Sequence, residues 1–110
     1  IVIIFCSGLR AEQPPYKIAV LLPLSGPNSS YGVASKNGIE LALDHLAVEE
    51  KKKITVRFED DQLKPTQSVA IFKRLSSEGK LDAVIVFGSG IGNAISPISE
   101  SQGKILVAVG

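Results

Sequence analysis

The chain reads as an α/β protein on a flavodoxin-like parallel sheet of strand order 2-1-3-4, with helices on both faces. Two observations predict it. Short apolar runs of strand length (IAVLL, ITVRFE, DAVIVF and KILVAV) are separated by stretches whose apolar residues return at every third or fourth position. The connections between them are short, so each strand–helix–strand unit is a right-handed crossover joining parallel strands.

The elements follow in order. IAVLL (18–22) is apolar throughout, as for a strand covered on both faces. A polar loop, 23–30, comes next and is closed by Tyr31. A helix is predicted from about Tyr31 to Ala47, with Ile39, Ala42, Leu43 and Leu46 as its stripe. Ser29 or Ser30 is expected to cap its first turn by accepting backbone N–H bonds. ITVRFE (54–59) is β-branched and alternating, the second strand. Pro65 suits the first turn of a second helix, with Val69, Phe72 and Leu75 as stripe, Ile71 beside them and Gly79 at the stop. DAVIVF (82–87) is the third strand. The turn GSGIG (88–92) opens a third helix ending near Gly103, and KILVAV (104–109) is the fourth strand.

Composition narrows the function. The 110 residues carry a net charge of +1, and the basic run Lys51–Lys53 directly follows Glu49 and Glu50. Such a cluster is a solvated helix end, and without a basic stripe nucleic acid is not expected as a partner. The opening IVIIFCSGL is apolar and then yields to EQPP, which would interrupt a sheet strand. Its length matches a secretory h-region and is too short to span a bilayer. Residues 1–11 are therefore expected to be the remnant of a signal peptide, cleaved after Ala11 or, second, after Gly8. Residues 12–110 are expected to form an incomplete amino-terminal ligand-binding lobe, because the sequence stops as the fourth strand ends. The single cysteine, Cys6, follows Phe5 rather than a small residue, so lipid anchoring there is not expected.

Catalytic templates fail one by one. The only histidine, His45, sits on the first helix outside its apolar stripe, away from any nucleophile at the sheet edge. A G-x-S-x-G elbow is absent, since Phe87 stands where its first glycine belongs, and there is no phosphate-binding G-x-x-x-x-G-K loop. GSGIG lacks dinucleotide spacing and follows the third strand, not the first. Glu59, Asp60 and Asp61 are three successive carboxylates without a second cluster, a polar strand end that helps begin the next helix rather than a metal site. No enzyme activity, cofactor or metal is expected.

Binding fits better. Order 2-1-3-4 places the topological switch point between the first and third strands, so loops 23–30 and 88–92 should flank one crevice. Gly88, Gly90 and Gly92 let backbone approach a ligand, and the helix after them aims free N–H groups and a positive dipole end at it, a setting for a carboxylate. Ser89 adds a hydroxyl, beside the backbone of Gly90 and Ile91. Across the crevice Ser25 and Gly26 offer polar backbone and Tyr31 an aromatic wall with a hydroxyl tip.

At these residues the chain resembles the amino-terminal lobe of the periplasmic leucine/isoleucine/valine-binding proteins, type I solute receptors of ABC importers. The resemblance runs from about Lys17 to Gly110. It is carried by IAVLLPLSGPNSSYG, GIELALDHL, VRFEDDQ followed by Pro65 and SVAIFKRL, and DAVIVFGSG…ISPISESQGKILV. The family implies that Tyr31 lines the pocket for the ligand side chain and that Ser89 binds its carboxylate with nearby N–H groups. It also implies a secreted or periplasmic binding protein that takes up a small solute, an amino acid of branched-chain type, and hands it to a membrane permease. Two positions depart from the family: Gly90 and Ile91 stand where Ser or Thr commonly follow the third strand, and Lys64 where Asp is frequent before the helix proline. A sensing or envelope regulatory domain of the same fold, acting through protein contacts, is the alternative.

Overall fold

A computed structural model describes residues 13–110; the expected leader, its cleavage sites and Cys6 lie outside these residues. Four strands form one parallel sheet: β1 (Tyr16–Leu22), β2 (Ile54–Asp60), β3 (Ala83–Phe87) and β4 (Ile105–Val109). Their order is β2-β1-β3-β4, the one expected for a flavodoxin-like sheet with helices on both faces. β1 pairs with β2 along its whole length, and Ile18–Leu21 pair with Ala83–Val86 of β3. Central position explains the composition of β1: Ala19, Val20, Leu21 and Leu22 are all buried.

The helices divide unequally between the two faces. α3 (Pro65–Glu78) and α4 (Ser89–Ser101) pack against each other on one face. There Phe72, Leu75, Ile91 and Ile95 meet Ala19, Leu21, Val84 and Val86 in the main core, with Val69, Ile71 and Leu106 packed around it. The expected stripe of α3 is thus the observed one, and Pro65 starts that helix. α4 lies close to β4, since a Cβ at Gly92 would sit 2.9 Å from that of Ala108.

On the opposite face lies α1 (Ser29–Asp44), whose only buried residue is Gly32. Ile39, Ala42, Leu43 and Leu46 face Ile18, Val20, Ile54, Val56 and Ile85 across an apolar groove of about 270 Å³. The predicted stripe therefore points at the sheet but does not close on it. Gly32 is the point of closest approach: a Cβ there would lie 1.9 Å from the carbonyl oxygen of Pro23, so only glycine lets the helix cross the exit of β1.

Strand ends shift by one or two residues, and the helix boundaries differ more. α1 begins at Ser29 and ends at Asp44, and a separate turn, α2 (Val48–Lys51), precedes β2. Asn28 is the N-cap, and neither serine caps with its side chain. The reason is local: carbonyls of the preceding turn take the first donors, Ser29 N–H to Gly26 at 3.2 Å and Tyr31 N–H to Asn28 at 3.1 Å. α4 ends at Ser101, two residues short of Gly103.

At the edge strand β2, four charged side chains close a ring. Glu59 meets Arg57 at 2.9 Å and Arg74 at 3.1 Å, while Glu78 meets the same two arginines at 3.6 and 3.3 Å. Charge of this kind discourages another strand from pairing with an open edge. No helix among the described residues is long and apolar enough to cross a membrane.

Candidate functional site

The strand register brings the two expected loops to one edge. Because Leu21 pairs with Val86, β1 and β3 end side by side, and residues 23–28 and Gly88 leave from neighbouring strands. The Tyr31 ring, in the first turn of α1, stacks on Phe87 at the end of β3, with centroids 5.8 Å apart and planes 20° apart. Tyr31 remains 59% exposed, so the stack leaves most of its surface free for a ligand.

The other wall is the start of α4. Gly88, at φ +93°, turns the chain from strand to helix and donates its N–H to the Val109 carbonyl at 2.7 Å. The first intrahelical bond runs from Gly92 N–H to the Gly88 carbonyl at 3.0 Å. The N–H groups of Ser89, Gly90 and Ile91 have no acceptor among the described residues. Three unsatisfied donors at the positive end of a helix suit an anion such as a carboxylate. Ser89 and Gly90 are exposed. Ile91 differs: its side chain is buried in the core, so only its backbone is available to a ligand.

The first loop is more committed than its composition suggests. The Asp60 carboxylate, at the end of β2, accepts from Leu24 N–H at 2.8 Å, Ser25 N–H at 3.3 Å and Gln62 N–H at 3.0 Å. The Ser25 hydroxyl donates to its other oxygen. Gly26, at φ +82°, gives its carbonyl to Ser29. The donors of Ser25 are thus spent inside the protein although the residue is exposed, as are Gly26 and Tyr31 beside it. Burial alone would raise the pKa of Asp60, but the bonds from Ser25, Gln62 and Leu24 outweigh it and hold the carboxyl below its ordinary value.

Asp61 plays the role expected of the acidic strand end. Fully buried, it accepts from Leu63 N–H at 2.9 Å and from the Ser68 hydroxyl at 2.7 Å, and so fixes the entry of α3. This explains why Lys64, the N-cap, needs no side-chain cap. The turn between them holds Gln62 and Leu63 in successive left-handed conformations, φ +52° and +58°, a strained arrangement for residues with a Cβ. Its N–H groups end on Asp60 and Asp61.

Sequence reasoning missed the tie from Asp60 to the first loop, the stacking role of Phe87 and the contact at Gly32. Only the glycine left a signal, as a small residue in the first turn of a helix. Among the described residues no group of three or more His, Cys, Asp or Glu side chains is placed to hold a metal. Two grooves of about 270 Å³ lie elsewhere, one at the amino edge between Lys17, Arg57, Leu75 and Glu78 and one under α1; neither is lined by a residue of the two crevice loops.

Known proteins share this sequence pattern and fold. The family model described as periplasmic binding protein matches residues 15–110. The Leu/Ile/Val-binding protein BraC3 of Rhizobium johnstonii is 28% identical over 96 residues, covering 82% of this chain and 25% of its own length. The substrate-binding protein LivJ of Streptococcus pneumoniae, solved in complex with isoleucine, superimposes with a TM-score of 0.73 at 25% identity, covering 86% of this chain and 28% of its own. A solute-binding protein from R. palustris in complex with benzoate shares the fold, with a TM-score of 0.71 at 24% identity over 86% of this chain and 27% of its own. The chain thus spans about a quarter of the length of the curated relative it matches.

Proposed function

The chain belongs to the periplasmic binding protein family, and on that premise we propose that it is the amino-terminal lobe of a secreted receptor that captures a small carboxylate, an amino acid of branched-chain type, for an ABC importer. The observation that carries this reading is that three free N–H groups, at Ser89–Ile91, follow directly on Phe87, the residue on which Tyr31 stacks. The helix end would hold the carboxylate through charge-assisted bonds, while Tyr31 covers the apolar side chain. A second lobe would close over the ligand by hinge motion, and the membrane permease would read the closed form. No bond is made or broken, in keeping with a family of binding proteins. BraC3 is described as a Leu/Ile/Val-binding protein and LivJ was solved with isoleucine, which supports an aliphatic amino acid. The benzoate-bound neighbour shares only the fold, and a fold does not choose the ligand's side chain.

Titration calorimetry of the full-length protein tests the proposal with leucine, isoleucine, valine, benzoate and leucinamide. At least one carboxylate should bind saturably, and its amide should bind about 10- to 100-fold more weakly, as expected when charge-assisted bonds are lost. Equal affinity for leucine and leucinamide, or no binding of any carboxylate, would overturn it.

A further inference from the structure

We propose that Asp60 is a positioning residue of the binding crevice: by holding Leu24 and Ser25, it sets the first loop so that Tyr31 stands over Phe87 and faces the α4 N-terminus. The inference rests on the reading above only for its ligand arm. Packing cannot do this work alone. α1, which carries Tyr31, buries only Gly32 and lies across an open apolar groove from the sheet. What fixes the loop is a carboxylate from a different strand, 35 residues away, that collects both N–H groups and the hydroxyl of its first turn. The same carboxylate takes Gln62 N–H, so the loop is referred to the strained turn rather than to solvent. Charged acceptors with several donors make the stronger hydrogen bonds in proteins, and a loop arranged before the ligand arrives loses less entropy on binding.

Asp82 supplies an internal control. At the other edge of the sheet its carboxylate accepts the backbone N–H of Lys17, near the start of β1, at 2.8 Å. Asp82 ties down the start of β1, whereas Asp60 ties down the loop that leaves its other end.

The test compares Asp60→Ala, Asp60→Asn and Asp82→Ala in the full-length protein. Without ligand, the NMR shifts of the Tyr31 ring report its stacking on Phe87. They should move in Asp60→Ala, move less in Asp60→Asn, which keeps an acceptor oxygen for the N–H groups, and stay put in Asp82→Ala. With ligand, Asp60→Ala should lose about ten-fold in affinity, chiefly through slower association, while Asp82→Ala keeps wild-type affinity. Unmoved Tyr31 signals in both Asp60 variants, or equal shifts in the Asp82 variant, would overturn the assignment. If Asp60→Ala does not fold, the Asp60→Asn spectrum decides. A wild-type protein that binds no carboxylate would end the transport reading, and the ring shifts would still decide the role of Asp60.

Discussion

The two faces of the sheet are built from the same strands and held in different ways. On one face two helices interlock with β1 and β3, and Phe72, Ile91 and Ile95 are essentially inaccessible to solvent. On the other a single helix leaves Leu41 at 57% exposure and keeps only Gly32 buried. The proposed crevice would take one wall from each: the N–H groups of α4 from the tightly packed face, Tyr31 from the lightly packed one. Stability is therefore concentrated where the anion would be held, and adjustability where the ligand's side chain would be met. Hydrogen bonds donated to Asp60 supplement burial on the second face, where packing is thin.

The sharpest test of this contrast is a pair of truncations. Phe72→Ala should cost about 3–5 kcal/mol, the range for deleting a fully buried aromatic. Leu43→Ala, half-buried under α1, should cost about 1 kcal/mol. Urea unfolding of the intact protein measures both, and equal losses would mean that the two faces are equally packed. Next in size is a pair of glycines on α1. Gly32→Ala drives a methyl into the Pro23 carbonyl and should destabilise by about 1–3 kcal/mol despite alanine's better helix propensity. Gly38→Ala meets nothing within 4 Å and should stabilise by about 0.5–1 kcal/mol. A loss at Gly38 in thermal melts would show that an added methyl meets a neighbour there after all.

The smallest effect is in acid. Asp60 titrates below its ordinary value of 3.8 in the fold, so its contribution is present above that value and fades as pH falls through the depressed one. The stability gap between wild type and Asp60→Asn should accordingly be full at pH 6 and narrow below about pH 4. A gap unchanged in acid would mean that the carboxylate's charge plays no part in holding the loop.

Much of the architecture was legible because it is written locally. Continuous or alternating apolar runs located the strands, Pro65 began α3, and the spacing of Val69, Phe72 and Leu75 identified its buried side. The strand order followed from placing helices on both faces of a parallel sheet, and with it the edge shared by the loops after β1 and β3. What escaped was non-local. Asp60 acts on residues 35 and 36 positions earlier, and no neighbour of it in sequence hints at that. Ser25 is polar and looks free until its donors are traced to that carboxylate. Ile91 follows a glycine turn and reads as part of a loop, yet the helix begins at Ser89 and rotates it into the core. The helix start was misplaced because backbone carbonyls did the work assigned to a serine side chain.

The charge ring on β2 bears on which changes this strand can tolerate over evolutionary time. Each arginine there neutralises two acids and each acid two arginines, so losing one member strands an unmatched neighbour beside an open strand edge. Removing a base and an acid together leaves the remaining couple balanced. Drift at Arg57, Glu59, Arg74 and Glu78 should therefore proceed by compensated pairs, with single losses selected against through self-association rather than through failure to bind.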